Sequence, residues 1–327
     1  MCLIAWNWQA GEHPELLLVA NRDEFHTRPA AALHVWEGGH ILAGKDLQGG
    51  GTWLGLSRGG RFAALTNYRI PSMAGTGTPT RGQLVTGFLS STLTGPDYLA
   101  RVAADAKKFN PFNLLVFDGL QLLGFESRHD KTIKMNPGLG GVSNADFDSP
   151  WPKLVKLKSR LGRCVVAGDT GNRALLAALA DRTMAADADL PATGLPLARE
   201  RALSAAFIDT PGYGTRASSI VRLNRLRAEL LEASFDEAGF TGLGTDLFDL
   251  RDPGARAARR HAGASGRGGC VISPRRQAAE TLERARRTGA NDGVFVMAAI
   301  KVLTCELPAT LGSPLARKGK RPSFVSV

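Results

Sequence analysis

Cys2 stands directly behind Met1 and opens an apolar run, Cys2-Leu3-Ile4-Ala5-Trp6, and a second run further on closes in Asn21-Arg22-Asp23-Glu24. A small second residue permits removal of the methionine, and the thiol and the new α-amino group then belong to one residue. The free amine titrates at about 7.7–8.0 and a free thiol at about 8.5, so a proton passes between them at little cost near neutral pH. A nucleophile that carries its own base is the chemistry such a residue would perform.

Two strands must position these groups. Glu15-Leu16-Leu17-Leu18-Val19-Ala20 is apolar and extended, and Ala10-Gly11-Glu12-His13-Pro14 is a polar break, so a hairpin is expected. With its turn near Gly11 or Glu12, the strand partner of Cys2 is Asn21 or Arg22, with Cβ atoms roughly 5 Å apart. Arg22 and Asp23 would then flank the thiol. The alternative from the residues alone is that Cys2 is a small buried hydrophobe and residues 21–24 a strand-ending turn.

Further segments extend the pattern: Ala20-Asn21-Arg22-Asp23-Glu24-Phe25, Gly50-Gly51-Thr52-Trp53-Leu54-Gly55, Gly60-Arg61-Phe62-Ala63-Ala64-Leu65-Thr66-Asn67-Tyr68-Arg69, Gly141-Val142-Ser143-Asn144-Ala145 with Ser149-Pro150-Trp151-Pro152-Lys153, and Tyr213-Gly214-Thr215-Arg216-Ala217-Ser218-Ser219. In this order, across about residues 1–240, they resemble the NRDE family, also called the transport and Golgi organisation protein 2 family. The resemblance implies an α+β fold, an αββα sandwich of the N-terminal nucleophile hydrolase type. A looser likeness to choloylglycine hydrolases and penicillin V acylases implies Cys2, Arg22, Asp23, Asn144 and Arg216 as site residues, with Asn67 behind them. The order of the second-strand residues departs from that group, which places its arginine before its asparagine and leaves a gap before its aspartate. Two functions follow from the likeness. One is hydrolysis of an acyl amide or thioester, which requires no cofactor; the other is non-enzymatic binding and trafficking of haem or an acyl lipid.

Composition sets wider limits. At 327 residues and 43% hydrophobic, the chain can bury a full core. Cysteines 2, 164, 270 and 305 show neither a disulfide framework nor Cys-x-x-Cys spacing, which fits a reducing compartment. The N-terminal residues lack a basic leader, and no segment is long and apolar enough to span a membrane, so a cytoplasmic location is expected. Six histidines, at 13, 26, 34, 40, 129 and 261, form no paired ligand spacing. Covalent haem is excluded by the absence of Cys-x-x-Cys-His; axial ligation by Cys2 or His26 is left open. Gly49-Gly50-Gly51 follows Lys45, the wrong order for a phosphate loop, and is expected to be a tight turn.

The net charge of +11 is unevenly placed: residues 1–240 hold 26 Lys+Arg against 23 Asp+Glu, and residues 241–327 hold 15 against 7. Between Arg251 and Arg287 there are ten arginines and no lysine, set among Ala and Gly. Without an aromatic residue for base stacking, this run argues against nucleic acid as the partner, and residues 241–327 are expected to be a largely disordered tail.

Elsewhere the patterning predicts strands at 52–57, 62–68, 113–118, 120–127, 141–143, 205–209, 218–223 and 228–234. Helices are predicted from a Thr80 cap to about Leu93, from Tyr98 to Lys108, from Trp151-Pro152 onward and over 173–185. In the third helix Leu154, Leu157 and Leu161 form the apolar side, and lysines 153, 156 and 158 are assigned to solvent. Strand groups separated by helix pairs fit helix, sheet, sheet and helix layers. Because the regular apolar pattern stops near residue 240, a chain lacking residues 251–327 is expected to retain one cooperative thermal transition; its loss in a melt would show that the tail belongs to the core.

Overall fold

In the computed structural model, which describes residues 2–70 and 79–251, the first hairpin forms as the turn chemistry dictates. β1 (Cys2–Gln9) and β2 (Glu15–Phe25) pair antiparallel with Cys2 opposite Arg22, joined through Gly11 at φ +128°. β3 (Ala30–Val35), β4 (Ile41–Asp46), β5 (Leu54–Ser57) and β6 (Phe62–Asn67) follow. Next come α1 (Gly82–Ser90), α2 (Gly95–Asp105), β7 (Phe112–Phe117), β8 (Leu122–Glu126) and β9 (Lys131–Lys134). β10 (Gly138–Val142) leads into α3 (Pro152–Val166), α4 (Asn172–Leu179) and α5 (Leu197–Ala202). β11 (Asp209–Thr210), β12 (Tyr213–Leu223), β13 (Arg227–Asp236) and β14 (Gly239–Asp249) complete the described fold.

These strands make two antiparallel sheets. One runs β10-β1-β2-β12-β13-β14, with β11 added to β12, and the other is the meander β3 to β9. Their facing sides share one core, in which Ile4, Trp6, Trp8, Leu16 and Leu18 meet Leu42, Leu54, Leu56, Phe62 and Leu115. On the outside of the meander, α1 and α2 bury Leu84, Val85, Phe88, Leu99 and Val102 against Ala63, Leu65, Leu114 and Val116. On the outside of the other sheet, α3 lies against β1 and β10, and α4 against β2 and β12. Gly141 permits that approach, since a Cβ there would stand 2.5 Å from Leu154 Cδ1. The expected αββα sandwich is thus the observed one.

Several local readings differ. β3 and β9 carry small or charged residues and lack apolar runs, and β4 is marked only by its short buried run Ile41-Leu42-Ala43, which is not among the expected strands. β14 continues past residue 240 to Asp249, pairing along β13, so the folded unit extends beyond the expected boundary. From residue 252 onward, the expected tail lies outside the described residues. Thr80 does not cap α1, whose cap position is Arg81 with no side-chain cap bond. Residues 205–208 are buried but not a strand, because side chains and a loop carbonyl satisfy their backbone: Asn21 Nδ2 donates to Ala206 O, Phe207 N donates to Asp181 O, and Ile208 N donates to Thr215 Oγ1. Gly49-Gly50-Gly51 is the expected turn, with Gly50 at φ +74°.

Asn21 is the main tie between sheet and helix layer. It is fully buried, donates to Leu179 O at 2.9 Å and to Ala206 O at 2.8 Å, and accepts from Ser218 Oγ at 2.7 Å. Asn21→Ala strands two carbonyls and a hydroxyl, at a cost of roughly 3 kcal/mol. The expected fall in melting temperature is about 6–12 °C, read by differential scanning calorimetry.

Candidate functional site

Alternation along β1 sends its even-numbered side chains between the sheets, and Cys2 is the first of them. It is 6% exposed, and its cross-strand partner Arg22, on the same face, is 8% exposed. Both line a cavity of about 570 Å³ at one end of the sandwich, walled by β2, β12 and β13 on one side and by β3, β4 and the start of α1 on the other. Among the described residues the Arg22 guanidinium makes no hydrogen bond or ion pair, so it is available to a ligand. At the rim, Asp46 accepts from Arg28 Nε at 3.0 Å and Nη2 at 2.7 Å, and from the turn amides of Gln48 and Gly49.

Of the six residues expected at the site, Cys2, Arg22, Asp23, Asn67 and Arg216 line this cavity, and Asn144 does not. Asp23 belongs to the opposite face of β2 and is fully buried, accepting from Thr215 Oγ1 at 2.8 Å. Asn67 presents an amide with no hydrogen bond of its own among the described residues, while its carbonyl accepts Asn144 Nδ2 at 2.9 Å. Asn144 is therefore a support: its amide nitrogen is spent on Asn67, its carbonyl accepts Arg69 N, and the Ser143 hydroxyl lies 3.2 Å from both Asn144 Oδ1 and Cys2 O. Arg216 stands at a bulge of β12 and donates to the carbonyls of Phe235, Phe25, His26 and Arg28 at 2.9–3.1 Å. Those bonds make it a clamp on the turn after β2, and they leave little of the guanidinium for a substrate.

Burial pushes the Cys2 thiol up; Asp23 and Glu24 add to this, and Arg22 and the amino terminus oppose it. The resting sulfur is a thiol, so attack requires a base. Burial also raises Asp23, against the pull of Lys153, Thr215 and Arg69.

With this geometry in place, the comparisons are specific. The family model of Transport and Golgi organisation 2 matches residues 1–237. The chain belongs to that family. The Transport and Golgi organization protein 2 homolog of Bos taurus is 35% identical over 224 residues, 63% of this chain and 81% of that one. The homolog of Homo sapiens is 34% identical over 226 residues, with the same two shares. Among solved structures, a Caenorhabditis elegans N-acylethanolamine-hydrolyzing acid amidase ortholog matches at 10% identity and a TM-score of 0.35, covering 67% of this chain and 92% of its own. That likeness is too distant to assign residues.

Two buried groups of this Transport and Golgi organisation 2 family chain were missed from sequence. Lys153, assigned to solvent, is 2% exposed, with Nζ 3.5 Å from Asn144 Oδ1. Its position one turn before Leu157 places it on the buried row of α3, a signal that was legible at i, i+4. Glu232 lies in phase with Ala228 and Leu230 on the inward face of β13, a glutamate where the strand period calls for an apolar residue. It is 4% exposed in the cavity wall, accepting from Leu33 N at 3.1 Å and from Ser219 Oγ at 3.4 Å.

Ten charged residues line the cavity, and His26 is outside it. Of the two axial ligands left open by the sequence, only Cys2 therefore reaches this cavity. Among the described residues no three His, Cys, Asp or Glu converge as metal ligands, and no helix is long and apolar enough to cross a membrane.

Burial raises Glu232 to about 7 in the folded protein, above its ordinary value of 4.5. The native state then holds a proton that the unfolded chain releases, so this contribution to stability is full below pH 4.5 and is lost as pH rises through 7. Glu232→Gln should therefore raise the melting temperature at pH 8 relative to the parent and do little at pH 4. Melts across pH 4–8 check this, and parallel curves for the two proteins would contradict it.

Proposed function

We propose that this chain is an N-terminal cysteine hydrolase of acyl amide or acyl thioester bonds. The observation that supports it is the placing of the Cys2 thiol in a cavity wall opposite an unengaged Arg22 and together with the unengaged amide of Asn67. With Met1 removed, the Cys2 amine takes the thiol proton and the thiolate attacks the acyl carbon. The oxyanion is held by Asn67 Nδ2 and a backbone amide, where one such donor contributes about 3–4 kcal/mol. Collapse breaks the bond to the leaving amine or thiol, which departs with the proton from the Cys2 ammonium. Water then adds to the acyl-thioester, its proton going to the Cys2 amine; the carbon–sulfur bond breaks, and the thiol is re-formed. Asp23 orients the amine, and Arg22 holds an anionic part of the substrate.

Parent, Cys2→Ser and Cys2→Ala proteins assayed on N-acyl amides and acyl-thioesters test this reading, with an intact mass to establish removal of Met1. Ala should abolish turnover and Ser should reduce it by roughly 100-fold or more, the hydroxyl being far harder to ionise than the thiol. A second readout is timed iodoacetamide labelling, in which Cys2 should react ahead of Cys164. Retained Met1, or a Cys2 no faster than Cys164, would defeat the self-activated mechanism. A parent without turnover that binds haem or an acyl lipid would favour the carrier alternative.

A further inference from the structure

The first turn of α3 carries Lys153 into the polar layer beneath Cys2. Four charged or ionisable groups from four parts of the chain face its ammonium: Arg69 after β6, Asp23 of β2, Cys2 of β1 and Glu200 of α5. Glu200 is already engaged, with Oε2 accepting from Arg69 Nη1 at 2.5 Å and Oε1 accepting from the Thr193 hydroxyl. Of the two carboxylates, Asp23 acts on Lys153 the more strongly. A buried cation of this kind is costly unless it does something for its neighbours. Lysines 156 and 158 lie on the same helix outside that layer, Lys156 exposed and Lys158 paired with Asp148.

We propose that Lys153 is a positioning residue of the Cys2 site, whose buried ammonium keeps Asp23 ionised and, through Asp23, holds the Cys2 amine and thiol in their proton-exchange arrangement. This rests on the reading of Cys2 as the nucleophile. The charge balance supports it from both sides. Burial, with Arg69 beside it, depresses Lys153 to about 8, and Asp23 and Cys2 are the first two groups opposing that depression. In turn, burial raises Asp23, and Lys153 is the largest influence holding it down. Lys153 Nζ donates to the Asn144 amide oxygen at 3.5 Å, and Asn144 is itself held by the Asn67 carbonyl.

The test is the pH dependence of Cys2 alkylation in full-length parent, Lys153→Arg and Lys153→Met proteins, each with a thermal melt. Loss of the cation should move the Met curve up by about one pH unit, equivalent to a roughly tenfold slower reaction at pH 7, while Arg stays close to the parent. Met and parent curves that coincide would overturn the proposal. Should the Met variant fail to fold, the parent supplies an independent measurement. The Lys153 side-chain NMR resonance, recognised by its absence in Lys153→Arg, must titrate at lower pH in Asp23→Asn, and an unmoved midpoint also overturns it. If Cys2 of the parent reacts no faster than Cys164, the nucleophile reading fails and carries this one with it; a fast parent Cys2 with an unmoved Met curve defeats Lys153 alone.

Discussion

Because side chains alternate along a strand, Asn21-Arg22-Asp23 cannot act as a contiguous patch, and the geometry of the site follows from that constraint. Pairing Cys2 with Arg22 puts both on the inner face, at the mouth between the sheets, and commits Asn21 and Asp23 to the helix layer. Asn21 ties that layer to the sheet through Leu179 and Ala206, while Asp23 lies on the face of β2 away from Cys2. A slip of one residue would exchange these roles and bury Arg22 among leucines. Within Asn21-Arg22-Asp23, the middle residue thus serves the space between the sheets and the outer two serve the helix layer.

Asp23 carries its charge into a layer where charge is expensive, among other buried charges. Asp23, Lys153, Arg69 and Glu200 are all nine-tenths buried or more, and each comes from a different segment of the chain. Removing one member of such a set leaves an uncompensated buried charge, so the cluster favours only the assembled arrangement of both sheets and the outer helices. Glu232 poses the problem in isolation. Its carboxyl reaches from β13 to the Leu33 amide of β3 and so bridges the sheets, and Gly44 makes room for it, since a Cβ there would stand 3.3 Å from Oε1. Without a cation in hydrogen-bond contact, it keeps its proton to a higher pH.

What was legible in the sequence was what short-range patterns encode. A five-residue break between two apolar runs marked the hairpin of β1 and β2 and narrowed the partner of Cys2 to Asn21 or Arg22, of which the structure shows Arg22. Strand groups alternating with helix pairs gave the layers. Strands β3, β4 and β9 escaped because their stability comes from neighbours across the meander, which local composition does not record. Lys153 escaped because residue type outweighed position: its spacing from Leu157 and Leu161 is that of a core residue. Arg216 was found, but its work on four carbonyls depends on a bulge in β12 and on the turn after β2, two segments almost two hundred residues apart in sequence.

The state of the thiol decides how such a site could act. Reactive cysteines elsewhere gain a low pKa from helix termini or adjacent cations, which hold the thiolate ready before substrate arrives. Here burial, with the acids at 23 and 24, outweighs the amino terminus and Arg22, and the thiol is pushed up. A fixed field therefore does not activate Cys2. In the proposed reaction the base is the amine of the same residue, which exists only once Met1 is gone. Arg22, unengaged and across the strand, is then better suited to neutralising charge that arrives with the substrate or develops during attack than to ionising the resting thiol.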